Sequence, residues 1–142
     1  MILIRVIVAV VFLTEGVLKF AYPGEYGAGR FTQIGIIYPQ VLGPLVGVVE
    51  IVAGAAVLAN FYAGDAAILL LAVIITALVT TKIPTLLGRP LGPFAVPKNV
   101  SHFGVLGFLH EARTDLAMLF GLVAIAIDSG VRGGRRTRWY QH

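Results

Sequence analysis

The chain has 142 residues, of which 58% are hydrophobic and 13% are charged. A soluble domain carries about 25% charged residues, so this chain has too little charge to cover a water-facing surface. Its net charge of +4 is local rather than spread over a nucleic-acid-binding surface, because four arginines lie near the C-terminus: Arg132, Arg135, Arg136 and Arg138. Cysteine is absent, which excludes disulfide relays and thiolate nucleophiles. Composition therefore predicts an all-α, polytopic membrane protein, a single membrane domain over residues 1–142 that contacts the lipid bilayer and binds no nucleic acid.

The first predicted membrane span covers residues 2–22 and carries three charges, Arg5, Glu15 and Lys19. Arg5 lies one turn from the N-terminus, where a long side chain can extend to the lipid headgroups. Glu15 and Lys19 are four residues apart on one helical face, so we expect them to pair near the far interface. The stretch lacks a separate basic region and a following cleavage site, and we interpret it as a retained span rather than a signal peptide.

The second predicted span, residues 41–60, follows a loop at 23–40 and contains a single charged residue, Glu50. A carboxylate in the middle of a membrane costs on the order of 3 kcal/mol. Glu50 must therefore be protonated, face water, or meet a basic group from another helix. Two interpretations are open: a hydrogen-bonded packing device that fixes the register of the helices, or a functional intramembrane acid.

The third predicted span, residues 65–82, has no charge between residues 66 and 81. We expect it to be the least polar and most lipid-facing helix of the bundle. The proline-rich segment that follows, residues 82–101, excludes a continuous helix. Its prolines are Pro84, Pro90, Pro93 and Pro97. Because the segment also contains apolar residues, we predict an irregular cover at the membrane interface, over the mouth of the bundle.

The fourth predicted span, residues 105–128, begins with a polar patch and is followed by a basic tail, residues 129–142. Four spans place both termini on one side of the membrane. The arginines of the tail favour the cytoplasmic side, although the opposite side would carry four cations as well, Arg30, Lys82, Arg89 and Lys98. We therefore predict a four-transmembrane-helix bundle in a prokaryotic inner membrane, with both termini in the cytoplasm.

Antiparallel spans bring the polar ends of the first and fourth spans into the same leaflet, with Glu50 just below them. The predicted intramembrane cluster, a candidate ligand-binding site, consists of Glu15, Lys19, Glu50, His110, Glu111, Arg113 and Asp115. Arg113 cannot share a helical face with both flanking acids, so we expect it to reach across to Glu50 or Glu15. His102 and His110 favour interfacial positions, hydrogen bonds or donation to a quinone oxygen over haem or metal ligation, since His102 follows the proline-rich segment closely.

These residues resemble the DoxX family of small four-span membrane proteins. The resemblance rests on Arg5 at the start of the first span, Gly16 and Lys19 at its end, and Glu50 with Gly54 in the second span. It extends over nearly the whole chain through Arg113, Asp115 and Gly130. The resemblance implies a membrane subunit linked to redox chemistry, because the family's namesake is the small subunit of a thiosulfate:quinone oxidoreductase.

The sequence is compatible with three functions. The first is a subunit of a larger membrane redox complex, in which the acid/base cluster lines a pocket for a quinone or another small molecule. The second is a structural or assembly subunit without catalytic activity. The third is a small proton-coupled carrier, against which the lack of an evident inverted repeat counts. No residue is assigned as catalytic, and enzymatic activity of the chain by itself is left open.

Overall fold

The computed structural model describes the backbone of residues 1–138 and the side chains of residues 1–130. Within this part of the chain the regular structure is helical, apart from one isolated bridge between Leu91 and Phe94. The helices are α1 (Ile2–Ala21), α2 (Ala28–Ile34), α3 (Pro39–Ala59), α4 (Ala63–Ala77), a π-helical segment (Leu78–Lys82), α5 (Ile83–Leu87) and α6 (Gly104–Arg138). The prediction of an all-α chain is confirmed. Residues 139–142 of the predicted basic tail, and all side chains beyond residue 130, lie outside the described part.

Two of the helices have the length and apolar composition of membrane spans, Pro39–Ala59 and the continuous stretch Ala63–Leu87. They coincide with the second and third predicted spans. A crossing helix needs about 20 apolar residues. Helix α1 has 20 residues and occupies the position of the first predicted span, but it carries three charges. Helix α6 begins at the position of the fourth predicted span.

Helices α3 and α4 are antiparallel neighbours because the turn between them is short. Asn60 ends α3 with φ 58°, and its backbone N–H donates to carbonyls of the last turn. A left-handed residue at this position is a common way to close a helix. Tyr62 has φ 47° and precedes the first residue of α4. The chain therefore reverses within three residues.

Small residues let the helices approach closely. A Cβ added to Gly16 of α1 would lie 2.7 Å from Cγ1 of Ile51 and 2.8 Å from the carbonyl oxygen of Gly47, both in α3. Alanines of α3 and α4 extend the same close packing into the core, where they are joined by larger side chains from four helices. The most deeply buried of these larger side chains, each 2% exposed or less, are Val8, Phe12, Val57, Leu70, Leu122 and Ile125. The close contact between α1 and α3 brings Lys19 next to Glu50.

The prediction that the chain becomes irregular at residue 82 is wrong, since the helix continues through Pro84 to Leu87. Proline cannot donate to the carbonyl four residues earlier, and its ring clashes with that carbonyl in a regular α-helix. The π-helical segment widens the turn just before Pro84 and so accommodates the ring. Three threonine hydroxyls donate to backbone carbonyls four residues earlier around it: Thr80 to Thr76 at 2.8 Å, Thr81 to Ala77 at 2.6 Å and Thr85 to Thr81 at 3.0 Å.

The irregular connection between α5 and α6 covers residues 88–103, so no helix runs through Pro90 or Pro93. This connection packs on the end of α2, a short helix inside the predicted loop at 23–40. The N–H of Ala95 donates to the carbonyl of Ile34 at 3.0 Å. Gly35 has φ 93° and lies so close to the backbone of Pro93 that no Cβ would fit. The proline-rich segment therefore lies against α2.

Candidate functional site

A cavity of about 640 Å³ lies between α1, α3, α4 and α6, with α2 at one end. Its apolar lining includes Val11 and Phe12 of α1, Leu69 and Val73 of α4, and Met118 of α6. Its charged lining residues are Glu15, Lys19, Arg30, Glu50, Lys82, Glu111 and Asp115. The cavity has the volume of typical small-molecule sites, about 300–1,000 Å³.

Lys19 and Glu50 form a buried ion pair in the wall of the cavity. Nζ of Lys19 lies 2.8 Å from Oε2 of Glu50, and the two side chains are 8% and 5% exposed. The contact places the ammonium group of α1 directly against the carboxylate of α3. Of the three alternatives for Glu50, the structure shows a basic group from another helix.

Lys19 is also shared with Glu15, one turn earlier on α1. Its Nζ lies 3.7 Å from Oε2 of Glu15 and donates to the Glu15 backbone carbonyl at 3.4 Å. The Glu15 side chain is 49% exposed, whereas that of Glu50 is 5% exposed. The three side chains therefore form a line of charged groups from an accessible carboxylate to a buried one.

A second ion pair joins Lys82 of the π-helical segment to Asp115 of α6. Nζ of Lys82 lies 3.5 Å from Oδ2 of Asp115, and both side chains are only partly accessible. Because a π turn changes the direction of the residues that follow, it contributes to placing Lys82 on the cavity wall. The pair links the end of the α4 stretch to the polar start of α6.

Five of the seven residues predicted for the intramembrane cluster line the cavity: Glu15, Lys19, Glu50, Glu111 and Asp115. His110 and Arg113 do not, and both are exposed. The expectation that Arg113 reaches Glu50 or Glu15 is wrong. Its Nη1 donates to the carbonyl of His110 on its own helix. Two positions along a helix correspond to about 200°, so Arg113 points away from the side on which Glu111 and Asp115 face the cavity.

Sequence reasoning did not assign Lys82, Arg30 or Tyr26 to the site, although all three line the cavity. The signal for Lys82 was its position as the lone cation at the end of the uncharged third span, from which it can pair with an acid of the fourth span. Arg30 and Tyr26 lie in or beside α2, where no periodic pattern indicates which way a side chain points.

The expectation that Arg5 extends to the headgroups stays a prediction, and the structure places part of its guanidinium inside the protein. Its Nε and Nη1 are buried, and neither has a hydrogen-bond partner among the described residues. Arg5 is not part of the cavity lining.

Within the described part of the chain, no three histidine, aspartate or glutamate side chains are grouped in a way that could hold a metal ion. His102 and His110 are both exposed, on the irregular connection and on the outer side of α6. The polar groups that line the cavity are carboxylates, ammonium groups, hydroxyls and the guanidinium of Arg30.

Comparison with known proteins gives two matches. The DoxX family model matches residues 1–83, the part of the chain that contains Lys19, Glu50 and Lys82. The chain is also similar to the uncharacterized membrane protein Rv3486 of Mycobacterium tuberculosis, with 44% identity over 120 residues. That alignment covers 84% of this chain and 69% of the relative. No solved structure matches the chain.

Proposed function

The chain belongs to the DoxX family of membrane proteins, and from this premise we propose that it is a subunit of a membrane redox complex that binds a quinone in its cavity. In this proposal α1, α3, α4 with its continuation, and α6 all cross the bilayer around the cavity. The membrane is a prokaryotic inner membrane, and both termini lie in the cytoplasm.

The amphipathic lining of the cavity is the observation that carries the proposal. Along α1 the apolar Val11 and Phe12 precede Glu15 and Lys19. Helix α6 shows the reverse order, since its acidic residues precede Met118. The charged groups therefore gather toward the end of the cavity near α2, where Phe31 and Ile34 also line it, and Val11, Phe12 and Met118 lie farther from that end. A ligand with an apolar tail and a small polar head, such as a quinone, matches this division.

The line of Glu15, Lys19 and Glu50 supports a role in proton transfer. A quinone supplies two-electron chemistry that is coupled to proton uptake, and intramembrane carboxylates commonly serve proton relays. Glu15 is accessible, Lys19 contacts both acids, and Glu50 is buried beside the cavity. These residues can hold or pass a proton between the accessible end of the cavity and the polar head of a bound ligand.

The test is purification in lipid nanodiscs, followed by extraction and identification of bound lipophilic molecules and titration with a short-tailed quinone. Ala72 lines the cavity, whereas Ala117 is exposed on α6 and does not. We expect Ala72→Trp to fill the cavity and lose the bound molecule, and Ala117→Trp to retain it. If wild-type protein neither carries a lipophilic molecule nor binds the quinone, the proposal is wrong.

One observation favours a second function, that of a structural subunit. The two ion pairs satisfy much of the buried charge internally and tie α1 to α3 and the π-helical segment to α6. Under this function, Lys19→Met combined with Glu50→Leu should preserve both folding and assembly with the partner complex. Under the quinone-binding function, the same double variant should fold but lose quinone-linked turnover of the complex.

A further inference from the structure

We infer that the cavity selects a ligand whose polar head donates hydrogen bonds. The inference rests on the proposed function, in which the ligand is a quinone. There it means that the reduced form, the hydroquinone with two O–H donors, binds more tightly than the quinone, whose two carbonyl oxygens can only accept.

The first step is that each ammonium group of the cavity wall is held against a carboxylate. Nζ of Lys19 contacts Glu50 at 2.8 Å and also lies 3.7 Å from Glu15. Nζ of Lys82 contacts Asp115 at 3.5 Å. A carbonyl oxygen that approaches either ammonium group therefore also meets a carboxylate.

The second step is that acceptors on the wall exceed donors. Four carboxylates line the cavity, and the two lysines are shared among three of them. The fourth, Glu111, is half-buried and makes no hydrogen bond or ion pair to a described residue. Oxygen atoms of Glu15 and Asp115 that do not contact a lysine add to this acceptor capacity. An ionised carboxylate accepts hydrogen bonds and donates none.

The third step concerns the other donors that line the cavity. Three threonine hydroxyls donate to backbone carbonyls one turn earlier, those of Thr76, Thr80 and Thr81. This leaves the hydroxyl of Thr114 together with Arg30 and Tyr26. Arg30 and Tyr26 come from α2 or the turn before it, at one end of the cavity. Arg30 is exposed, so its guanidinium is solvated. A head group placed between α1 and α6 therefore meets Glu15 on one side and Glu111 on the other. Two O–H groups can pair with these carboxylates, whereas two carbonyl oxygens would face them with like partial charge.

The experiment compares a decyl-substituted benzoquinone with its hydroquinone, titrated under anaerobic conditions into the full-length protein in nanodiscs. The shared tail cancels the apolar contribution to binding. We expect the hydroquinone to bind about tenfold more tightly, which raises the potential of the bound two-electron couple by about 30 mV. Glu111→Gln and Glu15→Gln should each reduce the ratio of the two affinities. The exposed Glu25 lies outside the cavity lining, so Glu25→Gln is the matched control and should leave the ratio unchanged.

Each outcome has a separate meaning. If the quinone binds as tightly as the hydroquinone, or more tightly, the inference is overturned while the proposed function stands. An affinity ratio that both cavity variants leave at the wild-type value also overturns the inference, because the carboxylates would then not be its cause. If neither form binds the wild-type protein, the proposed function itself fails. Glu15 is half-exposed, so its variant keeps the test valid even if Glu111→Gln does not fold.

Discussion

Substituting Lys19 should destabilise the fold, because it leaves a buried carboxylate without its partner. Both members of the Lys19–Glu50 pair are buried. Removing one member of a buried pair leaves an uncompensated charge and typically costs about 3–5 kcal/mol. We expect Lys19→Met to lower the free energy of unfolding by this order, measured by chemical unfolding in detergent micelles.

The control for this prediction is Lys98→Met, since Lys98 is exposed on the irregular connection. The double variant Lys19→Met/Glu50→Leu should recover most of the lost stability, because replacing a whole buried pair with apolar residues is often neutral or stabilising. Equal effects of Lys19→Met and Lys98→Met would show that the pair contributes little to the fold.

Unlike Lys19, Arg113 should contribute little to stability, although it lies between two acids in the sequence. It is exposed, and its guanidinium donates to a carbonyl of its own helix. Surface substitutions of this kind usually change stability by less than about 0.5 kcal/mol. We expect Arg113→Ala and Arg89→Ala, both at exposed arginines, to shift the thermal transition equally little. A loss of several kcal/mol for Arg113→Ala alone would mean that Arg113 has a buried partner.

Which site residues the sequence can predict depends on whether one helix determines their position. Glu50 is identifiable because it is the only charge in a long apolar stretch, and the Glu15–Lys19 spacing follows from one helical turn. The partner of Glu50 is not identifiable from one helix. Lys19 and Arg113 are both cations at a suitable depth, and the choice between them depends on how α1 and α6 are rotated. The close packing of α1 on α3 decides it in favour of Lys19.

At the level of helices, the contact between α1 and α3 should be the one most sensitive to added volume. A Cβ at Gly16 would lie 2.8 Å from the backbone carbonyl of Gly47, which cannot rotate away as a side chain can. Overpacking of this kind costs about 1–3 kcal/mol. We therefore expect Gly16→Ala to lower the unfolding temperature and to weaken cavity-ligand binding together, because it separates Lys19 from Glu50.

The matched control is Gly130→Ala in α6, where an added Cβ meets nothing within 4 Å. Alanine is a better helix former than glycine by about 1 kcal/mol, so this variant should be neutral or slightly stabilising. If Gly16→Ala behaves in the same way as Gly130→Ala, the close approach of the two helices does not stabilise the protein.

Long apolar periodic stretches predicted α1, α3 and the α4 stretch to within a few residues, whereas two shorter features could not be read from the sequence. Helix α2 has seven residues and no side-chain cap, and it is held by contacts with α3 and with the irregular connection rather than by its own propensity. Pro84 predicts a helix end by local rules, but the π-helical segment before it accommodates the proline ring and the helix continues. Both features depend on tertiary contacts, and both position cavity residues.

For the molecule as a whole, the proposed four crossings can be tested by labelling, since the chain has no cysteine and each single-cysteine variant reports one position. The first set is Gly24→Cys after α1, Phe61→Cys between α3 and α4, and Lys98→Cys before α6, all at exposed positions. With cytoplasmic termini, a membrane-impermeant maleimide should label residues 24 and 98 in intact cells and residue 61 only after permeabilisation. The reverse pattern would invert the orientation and leave the number of crossings unchanged.

This first set tests only α3 and the α4 stretch, the two helices that have the composition of membrane spans. Whether α1 and α6 also cross is tested by variants at their other ends. Ile2→Cys and Gly130→Cys lie near the start of α1 and in the second half of α6, and both positions are exposed. If α1 and α6 cross the membrane, residues 2 and 130 must lie on the side opposite residues 24 and 98. Pairing lowers the cost of placing Glu15 and Lys19 in a crossing helix, because Lys19 contacts two carboxylates and Glu50 is buried against it. We therefore expect residues 2 and 130 to be labelled only after permeabilisation, together with residue 61. Labelling of residue 2 from the same side as residue 24 would show that α1 lies along the membrane surface, and the cavity would then open to water rather than lie within the bilayer.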